Sequence, residues 1–152
     1  MNPLTIYQDA LNTVSQAVLA GDFPPYAAMI DLPYLVHTST ADLLVTTHED
    51  LRPTFLALHE ALRDQEVTHY ERVARSADYV QRDRIEGWHH THLISRGERV
   101  NYPHVSRHAI VCRGEAWRFS EAHYLIRADH WPLTKAMILA QIALPVTEGG
   151  EL

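Results

Sequence analysis

The chain has 152 residues, the size of one ordinary domain, with 46% hydrophobic and 21% charged residues. This composition is typical of a globular protein and excludes the disordered and fibrous classes. The formal net charge of -6, without a basic run, disfavours a nucleic-acid partner because phosphates would be repelled over most of the surface.

The single cysteine, Cys112, excludes an intramolecular disulfide and a cysteine-based zinc cage, so a reducing cytoplasm is the expected location. The N-terminus lacks the basic segment and apolar stretch of a signal peptide. The most apolar stretch, 136–146, is far shorter than the roughly 20 residues that span a bilayer. We therefore expect no membrane association.

Apolar residues recur at helical spacing in three segments before residue 65. Asn2, Asp22 and Thr47 are suitable caps for these segments, and Gly21 and Pro33 end the first two. The pattern predicts three helices, over about 3–20, 23–30 and 48–64. Between the last two, extended segments at 34–38 and 43–46 predict a short hairpin.

From Val67 onward, alternation and turn residues replace the helical pattern. Four strands are predicted, near 67–77, 79–95, 98–113 and 116–127, in a long antiparallel meander. Helices first and strands last predict an α+β fold in which three N-terminal helices pack on one face of a strongly curved antiparallel sheet. This domain covers residues 1–130, and 131–152 form a C-terminal extension, either a last helix or a dimer arm.

The last hairpin can be predicted in register because Gly114 suits a tight turn in which Arg113 faces Ala116. The pairs that follow from the turn all lie on one surface: Cys112 with Trp117, Ile110 with Phe119, His108 with Glu121, and Ser106 with His123. This surface is apolar near the turn, so we expect the helices to cover it. Its polar end is typical of a pocket with a few converging polar groups. The alternative is that these groups lie in water or satisfy one another structurally.

Three histidines follow Trp88 on the predicted second strand of the meander. His90 and His92 share a face, and such an H-x-H pair is a plausible metal half-site of the kind that the cupin family uses. Arg84 stands where the cupin glycine is expected, and three helices do not suit a cupin barrel. We therefore favour an ordinary strand surface or a subunit interface as the use of Trp88, His90 and His92, and we predict no metal. His89 points to the other face and is a candidate for the pocket.

The order of these cues resembles the nuclear transport factor 2-like (NTF2-like) superfamily over residues 3–127. The cues are Ala20-Gly21-Asp22, a short helix through Tyr26–Ile30, extended Tyr34–His37, a capped third helix, and a meander that closes on Gly114–Phe119. The resemblance is closest to the ketosteroid isomerase and SnoaL-like polyketide cyclase branch. It implies a cystatin-like cone of curved sheet and helices around a central pocket, and a homodimer.

The functional residues of the isomerase do not transfer to this chain. Its tyrosine falls near Val14, which cannot donate a hydrogen bond. Its general-base aspartate falls near His37 or Thr38, and its oxyanion-stabilising aspartate falls near His108. Steroid isomerisation by the family's residues is therefore not supported, but two positions of the family's site carry histidines, which titrate near neutral pH.

These observations predict a small-molecule-binding protein for an apolar or aromatic ligand. One hypothesis is a cofactor-independent isomerase, dehydratase or cyclase in which His108 is the acid or base and Glu121 orients it. The second polar group is then His123, His37 or His89. The pH-rate profile would then turn near a histidine pKa of about 6.5. Predicted ligand contacts are Tyr26, His89, Ser106, Trp117 and Phe119. The alternative hypothesis is a non-catalytic ligand-binding or dimerisation module.

Overall fold

A computed structural model describes residues 2–38, 42–101 and 105–124 and the backbone of 144–145. The three predicted helices are confirmed as α1 (Pro3–Ala20), α2 (Phe23–Ala28) and α3 (Arg52–Asp64), with a 3₁₀ turn at Glu49–Leu51 before α3. Among these described residues, no helix is long and apolar enough to cross a membrane.

Two of the three predicted caps form. The Asn2 side chain accepts a hydrogen bond from the Leu4 backbone, and the Thr47 hydroxyl accepts one from Asp50. Asp22 makes no side-chain capping bond. The physical reason is that Phe23 is followed by two prolines, which lack the backbone N–H groups that a cap would bind.

Within the described parts of the chain, eight strands form one mixed sheet. They are β1 (Ile30–His37), β2 (Asp42–Val45), β3 (His69–Gln81), β4 (Arg84–Ser95), β5 (Glu98–Arg99), β6 (Val105–Arg113), β7 (Ala116–Tyr124) and β8 (Leu144–Pro145). The spatial order is β3-β4-β6-β7-β1-β2-β8, and β5 pairs with β4. The meander β3-β4-β6-β7 is antiparallel as predicted, whereas β1 lies parallel to β7. The α+β class with helices on a curved sheet is confirmed, and the parallel pairing is a feature that sequence analysis did not predict.

Helix α1 packs on the sheet, and we call the covered side the inner face and the opposite side the outer face. Alternate residues of β4 are buried on the inner face, from Ile85 through His89 to Ser95. The helix comes so close that a Cβ at Gly87 would lie 2.8 Å from both the Tyr7 ring and the Ser76 carbonyl oxygen. Glycine at this position therefore allows Tyr7 to lie fully buried against β4.

The hairpin between β6 and β7 begins as predicted and then changes register. Gly114 has φ +66°, and Arg113 pairs with Ala116. The predicted register holds as far as Ile110 and Phe119, where a β-bulge adds Ser120 to β7.

The bulge reverses the faces of the residues beyond it. His108 pairs with Ala122 and Ser106 pairs with Tyr124, so the predicted pairs His108–Glu121 and Ser106–His123 are wrong. One extra residue sends Glu121 and His123 to the outer face and Tyr124 to the inner face, because side chains alternate along a strand.

The C-terminal extension predicted for 131–152 lies almost entirely outside the described residues. Its two described residues, 144 and 145, pair through β8 with β2 of the same chain. The choice between a last helix and a dimer arm stays a prediction.

Candidate functional site

The predicted site residues form two groups on opposite faces of the sheet. His108, His89, Ser106 and Phe119 lie on the inner face, and His37, Glu121 and His123 lie on the outer face. The predicted dyad of His108 and Glu121 therefore does not exist in this structure. Each group has its own geometry and its own electrostatics.

The inner group borders a cavity of about 40 Å³, which we call the inner cavity. Helices α1 and α3 supply apolar side chains to its wall, and β1, β3 and β7 supply tyrosines. The lining residues are Val14, Val18, Tyr26, Ile30, Tyr34, Leu58, Tyr70, Arg72, His108, Phe119 and Tyr124. The volume holds about one or two water molecules, so an aromatic ligand would need these helices to move outward.

His108 is the buried imidazole in this wall, with 3% of its surface exposed. Its Nδ1 atom is buried and has no hydrogen-bond partner among the described residues. The ring stacks on His89 at a centroid distance of 5.1 Å, and His89 Nδ1 in turn is hydrogen-bonded to the Tyr7 hydroxyl at 2.7 Å. Burial lowers the pKa of His108 well below its usual value, and the charge of Arg72 lowers it further. The ring is therefore neutral at neutral pH.

Arg72 is the charged side chain of the described cavity wall, with 7% of its surface exposed. Its Nε donates to the Ser15 hydroxyl at 2.9 Å and its Nη2 donates to the Leu11 carbonyl at 3.2 Å. Among the described residues, no carboxylate forms an ion pair with it. A buried guanidinium without a carboxylate gives the cavity a positive potential.

The tyrosines of the cavity are hydrogen-bond donors at neutral pH. Burial raises the pKa of Tyr124 to about 12 and raises that of Tyr34 well above its usual value. The side chains of Tyr34 and Tyr124 are hydrogen-bonded to each other. The inner cavity thus combines hydroxyl donors, one cation and one neutral imidazole, which is a set suited to an oxygen atom that carries or develops negative charge.

On the outer face, Glu121 is the centre of a group of charged side chains, the outer cluster, formed by His37, Asp42, Arg84, Glu121 and His123. Oε2 of Glu121 accepts hydrogen bonds from His37 Nε2 at 3.1 Å and from His123 Nε2 at 2.8 Å. The other oxygen, Oε1, accepts from Arg84 Nη2 at 3.2 Å. His37 and His123 are register partners on β1 and β7, and their rings stack at 4.3 Å.

The electrostatics of Glu121 reflect these contacts. Partial burial raises the pKa of its carboxyl, but the hydrogen bonds from His123 and Arg84 outweigh that effect and leave the pKa lowered. Glu121 and His123 also border an open groove of about 360 Å³, together with Trp88 and Arg107. Of the described residues, only His37, Glu121 and His123 form a group of three potential metal ligands, with ligand atoms within 4.8 Å of one another.

The remaining predicted residues are only partly at a site. Tyr26 and Phe119 line the inner cavity as predicted contacts, whereas Trp117 borders a separate shallow groove beside α1. Ser106 and His89 are buried behind His108 and do not line the cavity. The Ser106 hydroxyl has no hydrogen-bond partner.

His90 and His92 share one face of β4, as predicted, and that face is the outer one, with ring centroids 6.5 Å apart. Arg99 Nη1 donates to His92 Nδ1 at 3.2 Å. Burial lowers the pKa of His92, and the charge of Arg99 lowers it further. A guanidinium bound to the ring nitrogen makes this pair a poor metal site.

Sequence analysis gave no role to Tyr7, Arg72 and Asp42, although each contacts a candidate site residue or lines the cavity. Tyr7 lies among the buried residues of α1, which are mostly apolar, and its hydroxyl is the polar exception. Arg72 lies two residues after Tyr70 on β3, so both side chains point to the same face of the strand. An arginine on the face that the helices cover was the signal that could have indicated a role in the cavity. Asp42 gave no signal, because the sequence places it in the turn before β2.

No protein-family model and no curated protein matches the sequence. Solved structures match in fold. An NTF2-like protein with a cystatin-like fold from Novosphingobium aromaticivorans is 12% identical, with a TM-score of 0.62 over 90% of this chain and 88% of that chain. A Mycobacterium tuberculosis protein of unknown function is 10% identical, with a TM-score of 0.60 over 90% and 85%.

A third similar structure is a candidate dehydratase of the NTF2-like family from Streptomyces avermitilis. It is 13% identical, with a TM-score of 0.57 over 80% of this chain and 96% of that chain. Similarity at this level establishes the fold and leaves the chemistry to the residues of the chain itself.

Proposed function

Since the chain has the NTF2-like, cystatin-like fold, we propose that the inner cavity binds a small apolar or aromatic molecule with a carbonyl or carboxylate oxygen, and that His108 moves a proton next to that oxygen. This is the chemistry of an isomerase, dehydratase or cyclase that needs no cofactor in the cavity. One observation carries the proposal. His108 is a neutral imidazole in the same cavity wall as Arg72, and its buried Nδ1 has no hydrogen-bond partner among the described residues.

The roles of the inner residues follow from their charges. A neutral imidazole accepts a proton from a carbon next to a carbonyl, and negative charge then develops on the carbonyl oxygen. Arg72 and the tyrosine hydroxyls stabilise that charge in a buried site, where electrostatic interactions are stronger than in bulk water. Glu121 has no part in this step because it lies on the other face of the sheet. Because burial lowers the pKa of His108, the pH at which the reaction rate changes is expected to lie below the usual histidine pKa of about 6.5.

Binding is tested with benzoate, which joins an aromatic ring to a carboxylate. Titration is followed by NMR through the side-chain nitrogens of the histidines and of Arg72. We expect saturable changes at His108 and Arg72, weakened at least about tenfold in His108→Phe, which keeps an aromatic ring but loses both nitrogens. His90→Phe on the outer face of the same sheet is the matched control. Changes confined to the outer groove near Trp88 would refute the proposed site.

Catalysis is tested by exchange of the benzylic protons of phenylacetone for deuterium in heavy water, which requires no knowledge of the natural substrate. We expect exchange faster than in buffer for the wild type and for His90→Phe, and exchange at the buffer rate for His108→Phe. Exchange at the buffer rate for all three proteins would exclude the proton-transfer role.

The second candidate function is the non-catalytic ligand-binding or dimerisation module, and the small volume of the inner cavity favours it. Benzoate binding without deuterium exchange would support this candidate. The cytoplasmic location, the homodimer, the relationship to the ketosteroid isomerase and SnoaL-like branch, and the expected lack of nucleic-acid and membrane partners stay predictions.

A further inference from the structure

We propose that His37, Glu121 and His123 of the outer cluster bind a divalent transition-metal ion, with Zn²⁺ as the first choice. The proposal concerns the outer face and is independent of the function proposed for the inner cavity. It departs from the sequence-based prediction of no metal, which had weighed the His90 and His92 pair instead.

The geometry of the three side chains is the first argument. Two imidazole Nε2 atoms converge on one carboxylate oxygen, at 3.1 Å from His37 and 2.8 Å from His123. Zinc binds imidazole nitrogen and carboxylate oxygen at about 2.0–2.2 Å, which places neighbouring ligand atoms about 3.3 Å apart in a tetrahedral site. The observed separations need only small shifts to admit an ion.

The surroundings of the ligands are the second argument. Asp42 accepts a hydrogen bond from His37 Nδ1 at 2.9 Å, which leaves Nε2 directed at Glu121. A carboxylate behind a histidine ligand is the usual outer-shell partner in metal sites, because it fixes the tautomer and raises the basicity of the ring. Arg84 holds Oε1 of Glu121, so that Oε2 remains directed at the two histidines.

Charge is the third argument. Both ring nitrogens of His37 face carboxylate oxygens. A metal ion at Nε2 would take the place of the hydrogen bond to Glu121 and leave Nδ1–H directed at Asp42. The charged side chains around the proposed ion and along the groove are four carboxylates and two guanidiniums, namely Asp42, Asp78, Glu86, Glu121, Arg84 and Arg107. The net charge of -2 matches a divalent ion.

Two histidines and one carboxylate leave coordination positions for water or another ligand. Such open three-residue sets are typical of catalytic zinc and of non-haem iron, whereas structural zinc sites use four protein ligands. Glu121 and His123 border the outer groove, so the open positions are accessible from solvent. The class of ligand expected at the ion is water or a small anionic oxygen donor.

The test is a Zn²⁺ titration of the full-length, metal-free protein in competition with a chromophoric chelator, with Co²⁺ absorption as a second readout of the coordination geometry. The wild type should bind one ion, and imidazole NMR should locate it at the Nε2 atoms of His37 and His123. We expect Asp42→Asn to weaken binding by about 10- to 100-fold, as loss of an outer-shell partner does. His37→Ala, His123→Ala and Glu121→Gln should weaken it further.

The matched control is the double variant with His90→Ala and His92→Ala, which removes two outer-face histidines without touching the outer cluster. It should bind Zn²⁺ like the wild type, and circular dichroism should confirm that every variant is folded. The proposal is overturned if the wild type binds no ion, since the outer cluster would then be an ion-pair network only. It is equally overturned if binding survives Glu121→Gln and His123→Ala or is lost in the control.

Discussion

His108 is an ionisable group in a place where its charged form is disfavoured from every side. Tyr124 and Phe119 of β7, His89 of β4 and Arg72 of β3 surround or face its ring, and none of them is an anion. The charge of His123, on the other face, acts in the same direction as that of Arg72. A neutral His108 is therefore a property of the fold and does not depend on the proposed function.

This neutral state predicts a pH dependence of stability. The pKa of His108 is depressed in the folded protein, whereas the unfolded chain takes up the proton at about pH 6.5. Stability is thus lost as the pH falls below about 6.5, and at pH about 5.5 the loss from this residue alone is about 1.4 kcal/mol. His108→Phe should lose this contribution to the pH dependence of the unfolding free energy. The measurement is urea unfolding of both proteins at pH about 5.5 and at a pH above about 6.5.

The control for this prediction is His90→Phe, which should keep the pH dependence of the wild type. Other groups, including the carboxylates, contribute equally to all three proteins, so the difference between the two variants isolates His108. Identical pH profiles for both variants would show that the pKa of His108 does not change on folding, which would contradict the prediction.

At the level of elements, the bulge in β7 decides which side chains can act together. The extra residue, Ser120, comes just before Glu121 and separates it from the face of His108. Ala122 is fully buried as a result, and Tyr124 reaches the inner cavity. Without the bulge, Glu121 and His123 would enter the apolar interior in their place.

We therefore expect deletion of Ser120 to be strongly destabilising. The cost is the loss of buried contacts by Ala122 and Tyr124 together with the burial of a carboxylate, and we expect about 3 kcal/mol or more in urea unfolding. Ser120→Ala keeps the bulge and loses only a hydroxyl at 3.4 Å from the Ala109 carbonyl, so it should cost at most about 1 kcal/mol. If the deletion variant were as stable as Ser120→Ala, the sheet would tolerate β7 without its bulge, and the prediction would be wrong.

The same bulge marks how far the sequence could predict the site. Local signals were sufficient for the helices, for the turn at Gly114 and for the register up to Phe119, because caps, glycine and alternation act over a few residues. The bulge has no local signal of this kind, since Ser120 also fits an unbroken alternating pattern. The error of one residue exchanged the faces of Glu121 and His123 and produced a dyad that the fold does not contain.

At the scale of the whole molecule, the outer cluster depends on a contact that no local pattern encodes. His37 and Glu121 are 84 positions apart in the chain, and they meet because β1 lies parallel to β7. The sequence predicted helices first and an antiparallel meander last, and it placed His37 in a separate hairpin. Once β1 inserts between β7 and β2, His37 and His123 become register partners.

The expected homodimer is also a property of the whole molecule. The resemblance to NTF2-like proteins implies it, and the edge strand β3 leaves Val73, Tyr79 and Val80 at least 40% exposed. We expect light scattering on a size-exclusion column to give twice the chain mass of 17.4 kDa. A mass of one chain at all concentrations tested would contradict this prediction.

The parallel contact of β1 with β7 also has a consequence for biosynthesis. Residues 30–37 leave the ribosome early, but their neighbour in the sheet is complete only when residue 124 has emerged. Until then β1 can pair with β2 alone, and its other edge stays open. Contacts between distant parts of a chain form slowly, so we expect the pairing of β1 with β7 to be a late step in folding.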